Sequence, residues 1–259
     1  MIFFFILLFL MLLILIFYLF INKQCDIFNY DLFSNNSIKY NYDNLGFVII
    51  PNVFTKEYID ECRSEILNYS KTNNTSIVDF VGRNILPKIS NMKNNSKIHL
   101  VLKQIFEGND YRFCKHNDIG FNRIVNWHKD KLNGPYNKYE KLNIFNKEQN
   151  ICKVAIYLQD HSNNTNCLRI IPGSQYVKNI DINNCKVLQP KLGDVIIFDQ
   201  RITHRGKSIF DFFKFSNTPR ILVSFGFGKN NKYTDQFEKG TIQRQKDQLI
   251  NGFFGNKIK

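Results

Sequence analysis

The feature that most constrains the fold is a succession of short apolar runs in the second half of the chain, separated by turn residues. Two segments with helical spacing, residues 55–67 and 98–106, come before it. The clearest apolar runs are residues 121–127, 152–159, 168–171, 194–198 and 220–227. Runs of this length after a helical region indicate a β sandwich or barrel. The sequence therefore predicts a mainly β fold with flanking α-helices.

The first 21 residues are almost all Phe, Leu and Ile and carry no charge. About 20 such residues form a helix long enough to cross a bilayer. No Lys or Arg precedes the run and no Ala-x-Ala site follows it, which favours an uncleaved anchor over a cleaved signal peptide. We therefore predict an N-terminal transmembrane helix at residues 1–22, a linker at 23–42, a folded domain at 43–235 and a tail at 236–259.

We predict that the protein lies in a membrane, which its N-terminal helix crosses once. The side of the membrane on which the folded domain lies stays open. Lys23 and Lys39 follow the span and favour the cytoplasm. Sequons at Asn35 and Asn163 would suit a lumenal domain, but a chain this rich in Asn contains them by chance.

The chain is basic, with a net charge of +13. Such a charge suits nucleic acid or an anionic membrane surface. The lysines are scattered, however, which favours a solvated surface and makes nucleic acid an unexpected partner.

The six cysteines show no Cys-x-x-Cys spacing, which argues against a zinc ribbon. Their scatter favours buried free thiols over a disulfide framework.

His128 and Asp130 are two residues apart at the end of a predicted strand. Side chains at this spacing project to the same side of a strand. An imidazole beside a carboxylate supplies two of the three ligands of a facial Fe(II) site, and His204, after another apolar run, is the candidate for the third. A single His-x-Asp is common by chance, so taken alone it favours a surface turn with a local hydrogen bond.

Four blocks, taken in order, carry a family resemblance. An apolar strand closed by proline lies at 46–54, and Trp-His-Lys-Asp lies at 127–130. A strand at 155–160 leads to an Ile-Pro-Gly-Ser turn at 171–174, and Gly-Asp-Val-Ile-Ile-Phe at 193–198 precedes His204 and Arg220. Over about residues 40–230 the chain resembles the phytanoyl-CoA dioxygenase (PhyH) family of Fe(II)/2-oxoglutarate oxygenases.

The resemblance implies a double-stranded β-helix core, also called a jelly roll or cupin-like fold. It makes His128, Asp130 and His204 the Fe(II) ligands and Arg220 the group that binds the distal carboxylate of 2-oxoglutarate. Three protein ligands leave room for a bidentate 2-oxo acid and O2. The implied reaction is hydroxylation of a small-molecule or lipid-like substrate, with release of succinate and CO2 and with ascorbate as a possible further cofactor. The alternative for Arg220 is a structural ion pair.

The chain departs from the family pattern at two positions. Lys129 stands where Gln is frequent, and Gln175 stands where His is usual. Strand alternation places Lys129 opposite the ligands, facing solvent or in a supporting role. A loop at 131–149 is expected to cover the site.

The remaining polar candidates have weaker claims on the chemistry. His99, His116 and His161 are interpreted as structural, and Asp118 and Asp160 as turn residues. Two other functions stay open: a catalytically idle jelly-roll interaction module, and a nucleic-acid oxygenase suggested by the charge.

Overall fold

The computed structural model describes residues 2–21, 25–33, 36–73, 77–79, 86–122, 125–130, 146–162, 167–177, 181–206 and 219–251. The helices are α1 (Ile2–Ile21), α2 (Ile38–Leu45), α3 (Lys56–Asn73), α4 (Pro87–Met92), α5 (Ser96–Ile105) and α6 (Lys232–Asn251). The strands are β1 (Asp26–Ile27), β2 (Phe47–Ile50), β3 (Ile77–Asp79), β4 (Tyr111–Phe121), β5 (Ile151–Tyr157), β6 (Arg169–Ile170), β7 (Lys186–Val187), β8 (Val195–Asp199), β9 (His204–Arg205) and β10 (Ile221–Lys229).

The strands form two sheets. The large sheet has the order β2-β8-β5-β10-β4-β3, and the small sheet has the order β1-β7-β6-β9. Every pairing within the large sheet is antiparallel. Two sheets with helices beside them fit a jelly-roll core, so the prediction of a mainly β fold with flanking helices is confirmed.

Strand alternation gives the large sheet two different faces. Val154 and Ile156 on β5 pack in one hydrophobic cluster with helical residues such as Ile66 and Leu102. The alternate residues Ala155 and Tyr157 pack in a second cluster with residues of the small sheet. Helices therefore cover the outer face of the large sheet, and the inner face looks towards the small sheet.

The apolar run at the N-terminus forms the helix α1, and its described side chains at residues 4–15 are exposed. No helix within the described ranges is both long enough and apolar enough to cross a membrane. The prediction of a transmembrane anchor at residues 1–22 is therefore not supported. The location in the cell stays a prediction.

One pair of cysteines corrects the prediction of free thiols. Cys25 and Cys185 form a disulfide across a sequence separation of 160 residues. The cause is the parallel pairing of β1 with β7, which brings the two Cα atoms to 4.9 Å. The other four cysteines are buried thiols outside any disulfide, as predicted: Cys62, Cys114, Cys152 and Cys167.

The segment predicted as a polar tail, 236–259, contains most of α6. This helix packs along β4, and Arg112 of β4 forms ion pairs with Asp235 and Glu238. Phe237 is buried together with three polar side chains of the same helix, Thr234, Thr241 and Gln245. Because most of its buried face is polar, α6 lacks the apolar periodicity from which its packing against β4 could be predicted.

Candidate metal centre

Two chain segments that are far apart in sequence meet at His128 and His204. The amide N–H of His128 donates to the carbonyl of His204 at 3.0 Å, and that of His204 donates back at 2.9 Å. The Asp130 amide N–H donates to the carbonyl of Gln200 at 3.0 Å, in the same segment as His204. These bonds set the register between the two segments and place the imidazoles side by side, with ring centroids 4.3 Å apart.

The side chains of His128, Asp130 and His204 converge on one point. One ligand atom from each lies within 4.8 Å of the other two. The Nε2 atom of His128 is 3.5 Å from Oδ1 of Asp130, and that of His204 is 4.0 Å from Oδ2. The structure thus brings together the three residues that the sequence nominated as metal ligands.

Backbone carbonyls fix which ring nitrogens face this point. Nδ1 of His128 is 2.7 Å from the carbonyl oxygen of Asn126, and Nδ1 of His204 is 3.0 Å from that of Ile202. A carbonyl can only accept a hydrogen bond, so each Nδ1 carries the proton. Each Nε2 then presents its lone pair, which is the form of imidazole that binds a metal.

Lys153 on β5 is a third neighbour of the carboxylate and was missed in the sequence. Its ammonium lies 2.5 Å from Oδ2 of Asp130. Burial alone raises the pKa of Asp130, but the Lys153 charge, followed by the two imidazoles, outweighs burial and holds that pKa well below its usual range. Burial lowers the pKa of His204 to about 4. At neutral pH the site therefore holds an ionised carboxylate and a neutral His204.

Arg220 lies on the inner face of the large sheet, directly before β10. It is only 4% exposed, and its Nη2 donates to the Tyr157 hydroxyl at 3.0 Å. Tyr157 belongs to the same hydrophobic cluster as Phe198, whose ring centroid is 5.0 Å from that of His204. The Arg220 guanidinium and the three candidate metal ligands therefore lie in the same interior region of the fold.

The profile of the family described as phytanoyl-CoA dioxygenase (PhyH) matches residues 42–209, well over half of the chain. The chain belongs to the PhyH family. The matched range includes all three ligand candidates and ends before Arg220. No curated protein sequence matches the chain.

Solved structures share the fold of this PhyH protein at low sequence identity. AviO1 from Streptomyces viridochromogenes is 13% identical with a TM-score of 0.55, over 74% of this chain and 93% of that chain. HygX from Streptomyces hygroscopicus, with nickel and 2-oxoglutarate bound, is 13% identical with a TM-score of 0.56, over 73% and 85%. The epimerase SnoN, in complex with Fe3+, alpha ketoglutarate and nogalamycin RO, is 13% identical with a TM-score of 0.55, over 74% and 82%.

The two positions where this PhyH chain departs from the family pattern have structural contacts. Lys129 faces away from the ligands, as alternation predicted, and its ammonium donates to the carbonyls of Ser174 and Arg201. Burial lowers its pKa to about 8. Gln175 donates from Nε2 to the carbonyl of Asp43 at 2.8 Å and so links the Pro-Gly-Ser turn to α2.

The Pro-Gly-Ser turn also supports the strand that carries His204. The Ser174 hydroxyl accepts from the Thr203 amide at 2.8 Å and donates to the carbonyl of Ile171 at 2.7 Å. The Ile171 amide donates to the carbonyl of Thr203 at 2.9 Å. These bonds fix the residue that directly precedes His204.

The other polar candidates lie away from the three ligands, and one was misjudged. His99 pairs with the Tyr111 hydroxyl at 2.8 Å, and Asp160 accepts from Ser162 in a turn, as predicted. Asp118 is not a turn residue; it lies within β4 and forms an ion pair with Arg244 of α6. No local sequence pattern indicates this ion pair, because Arg244 comes from the other end of the domain.

Most of the loop predicted over the site, residues 131–145, lies outside the described residues.

Proposed function

We propose that the protein is a non-haem Fe(II)- and 2-oxoglutarate-dependent dioxygenase that hydroxylates an organic substrate. The observation that carries this proposal is the convergence of His128, Asp130 and His204 with both Nε2 atoms turned towards the carboxylate. Membership of the PhyH family supports it. So do the metals and 2-oxoglutarate named for HygX and SnoN, whose fold is similar.

The donor set suits Fe(II). Two imidazoles and one carboxylate form the facial arrangement typical of non-haem Fe(II) oxygenases and leave coordination positions open. Lys153 binds one oxygen of Asp130 and leaves the other for the metal. When bound, Fe(II) couples the oxidation of 2-oxoglutarate by O2 to succinate and CO2 with hydroxylation of a substrate C–H bond.

Arg220 is the residue that would bind the distal carboxylate of 2-oxoglutarate. Its burial strengthens a charge-assisted hydrogen bond, and its fork can bind both carboxylate oxygens. The Tyr157 hydroxyl is already 3.0 Å from the guanidinium and holds it in position. Burial raises the pKa of Tyr157, so this hydroxyl stays protonated and can itself donate to the carboxylate.

The proposal is tested by anaerobic calorimetry with Fe(II) followed by 2-oxoglutarate. The wild-type protein should bind both, and in air it should form succinate in the presence of ascorbate. His204→Ala should lose the metal, whereas Arg220→Gln should keep the metal and bind 2-oxoglutarate at least about tenfold more weakly, the loss of one charged hydrogen bond. His99→Ala is the matched control, because His99 pairs with Tyr111 away from the three ligands.

Two results would count against the proposal. An intact wild-type protein that takes up no metal under anaerobic loading would favour the idle jelly-roll module. A metal-loaded protein that does not bind 2-oxoglutarate would exclude this cosubstrate.

A further inference from the structure

Arg220 lies at a point where the ends of three neighbouring strands meet. It directly precedes β10, which runs between β5 and β4 in the large sheet. Gln159 comes just after the end of β5, and Asn122 comes just after the end of β4. These two amide side chains therefore flank the backbone of Arg220 on its two sides.

Hydrogen bonds from both flanks fix the peptide groups next to Arg220. On the β4 side, the Arg220 amide donates to Oδ1 of Asn122 at 2.8 Å, and the Asn122 amide donates to the Arg220 carbonyl at 2.8 Å. Asn122 has a φ of 46°, in the left-handed region that asparagine adopts more readily than most residues. On the β5 side, the Ile221 amide donates to Oε1 of Gln159 at 2.7 Å.

Arg63 of α3 joins the end of β5 to the residue before Arg220. Its Nη1 donates to the Leu158 carbonyl at 3.0 Å and to Oε1 of Gln159 at 3.3 Å. Its Nη2 donates to the Pro219 carbonyl at 2.8 Å. These acceptors are neutral oxygens, so the guanidinium serves as a rigid fork between two chain segments. A helix on the outer face of the sheet thereby holds the start of β10.

The partners of Gln159 determine how its amide is oriented. Oε1 faces two donors, the Ile221 amide and the Arg63 guanidinium, so this atom is the acceptor. Nε2 of Gln159 therefore donates to Nε2 of His161, which is 2.7 Å away. The His161 ring is buried and packs edge-to-face on Tyr157, with ring centroids 4.5 Å apart.

We propose that Gln159, held by Arg63, is a positioning residue for Arg220 and so sets the affinity for the distal carboxylate of 2-oxoglutarate. Its Oε1 fixes the backbone beside Arg220. Its Nε2 holds His161 against Tyr157, and the Tyr157 hydroxyl accepts from the Arg220 guanidinium. This inference rests on the proposed function. It gives a part in cosubstrate binding to His161, which sequence reasoning treated as structural.

The geometry of the carboxylate bond explains why position matters here. A guanidinium that binds both oxygens of a carboxylate must direct two N–H groups at once, and hydrogen bonds weaken steeply when the donor angle is poor. A shift at the start of β10 would therefore weaken the bond to the distal carboxylate. The metal ligands and the 2-oxo acid end of the cosubstrate would keep their places, so the loss should be confined to ligands that carry a distal carboxylate.

A double-mutant cycle on the full-length, Ni(II)-loaded protein tests the proposal by anaerobic calorimetry. Gln159→Met should weaken 2-oxoglutarate binding about fivefold, the equivalent of one neutral hydrogen bond. In the Arg220→Gln background the same change should add less than about twofold, because no guanidinium is left to position. Gln243→Met is the matched control, since Gln243 is exposed on α6 and bonds only with Asp247 among the described residues.

A second ligand separates positioning from general damage to the fold. The compound 2-oxopentanoate has the same chain length as 2-oxoglutarate and carries a methyl group in place of the distal carboxylate. Gln159→Met should bind 2-oxopentanoate and Ni(II) as the wild type does. A merely structural role of Gln159 would weaken both.

Arg63→Lys is a milder variant of the same arrangement. It keeps the charge, but one ammonium cannot replace a fork that joins two segments, so 2-oxoglutarate should bind about threefold more weakly. This loss should likewise vanish in the Arg220→Gln background. If Gln159→Met does not fold, the cycle with Arg63→Lys decides the question.

Failure of this inference is distinguishable from failure of the proposed function. A wild-type protein that binds no 2-oxoglutarate overturns the dioxygenase proposal. If the wild type binds 2-oxoglutarate, three results overturn the positioning role. They are wild-type affinity in Gln159→Met, an equal loss for 2-oxopentanoate, and an undiminished loss in the Arg220→Gln background.

Discussion

At the scale of single residues, two buried imidazoles dominate the expected response to pH. Burial lowers the pKa of both His116 and His204 to about 4, although each has a carboxylate beside it. Both rings are therefore neutral in the folded protein across the range in which an ordinary histidine takes up a proton. His204 must be neutral to bind a metal through Nε2.

We expect the metal-free protein to lose stability as the pH falls from about 6.5 to about 4. Between these values the unfolded chain binds protons that the folded protein does not, so the free energy of unfolding is fully present above about 6.5 and decreases below it. Each imidazole contributes about 3 kcal/mol to this loss. Urea titrations in EDTA at several pH values measure it.

The matched variants separate the two histidines. His116→Gln should remove about half of the pH dependence in this range, because one imidazole remains. His204→Gln should remove the other half in the metal-free protein. An unchanged slope in His116→Gln would show that His116 is protonated in the folded state.

At the scale of elements, the turn between β8 and β9 decides where the third ligand lies. Asp199 ends β8, and its carboxylate accepts from Nε and Nη2 of Arg201 at 2.5–3.1 Å. Both side chains are at most 2% exposed. Because Lys129 binds the carbonyl of Arg201, this buried ion pair fixes the turn relative to the segment that carries the other two ligands.

Arg201→Met should lower the free energy of unfolding by about 3–5 kcal/mol, because it leaves the Asp199 carboxylate buried without its charge partner. It should also weaken Ni(II) binding, since the turn precedes His204 directly. Urea unfolding and metal titration give the two readouts. Lys56→Met, which breaks the exposed pair with Asp60, is the control and should cost less than about 1 kcal/mol. Equal losses in the two variants would mean that the buried pair does not stabilise the turn.

At the scale of the whole molecule, one covalent link joins the N-terminal segment to the small sheet. The Cys25–Cys185 disulfide spans a sequence separation of 160 residues, and the loop that it closes contains four of the six strands of the large sheet and two of the four strands of the small sheet. Next to it, Phe28 is buried in the cluster between the sheets. The link therefore restricts the unfolded chain between residues 25 and 185.

Reduction of this disulfide should lower the free energy of unfolding by about 2–5 kcal/mol, the upper value being that expected from chain entropy for so long a loop. Urea unfolding with and without dithiothreitol measures the change. In the Cys25→Ser/Cys185→Ser double variant the reductant should have no further effect. If the reductant still destabilises that variant, the loss does not come from the disulfide.

The sequence was informative about the metal centre because the signals there are short-range. His128 and Asp130 share a side by the alternation of a strand, and their spacing is fixed by covalent geometry. The Pro-Gly-Ser turn is likewise local. His204 was nominated from its place after another apolar run and from the resemblance to the PhyH family, since no local pattern indicates which distant histidine completes a site.

What the sequence by itself determined is thus the central strands β2, β5, β8 and β10, the helices α3 and α5, and the chemical types of the ligands, because periodicity and spacing act over a few residues. What only the tertiary structure decided is which side chains meet across the sheets. Lys153 reaches Asp130, Asp118 lies 3.2 Å from both His116 and Arg244, and Cys25 joins Cys185 because of strand register and sheet packing. Register depends on the sum of many long-range contacts, and no single stretch of the chain encodes it.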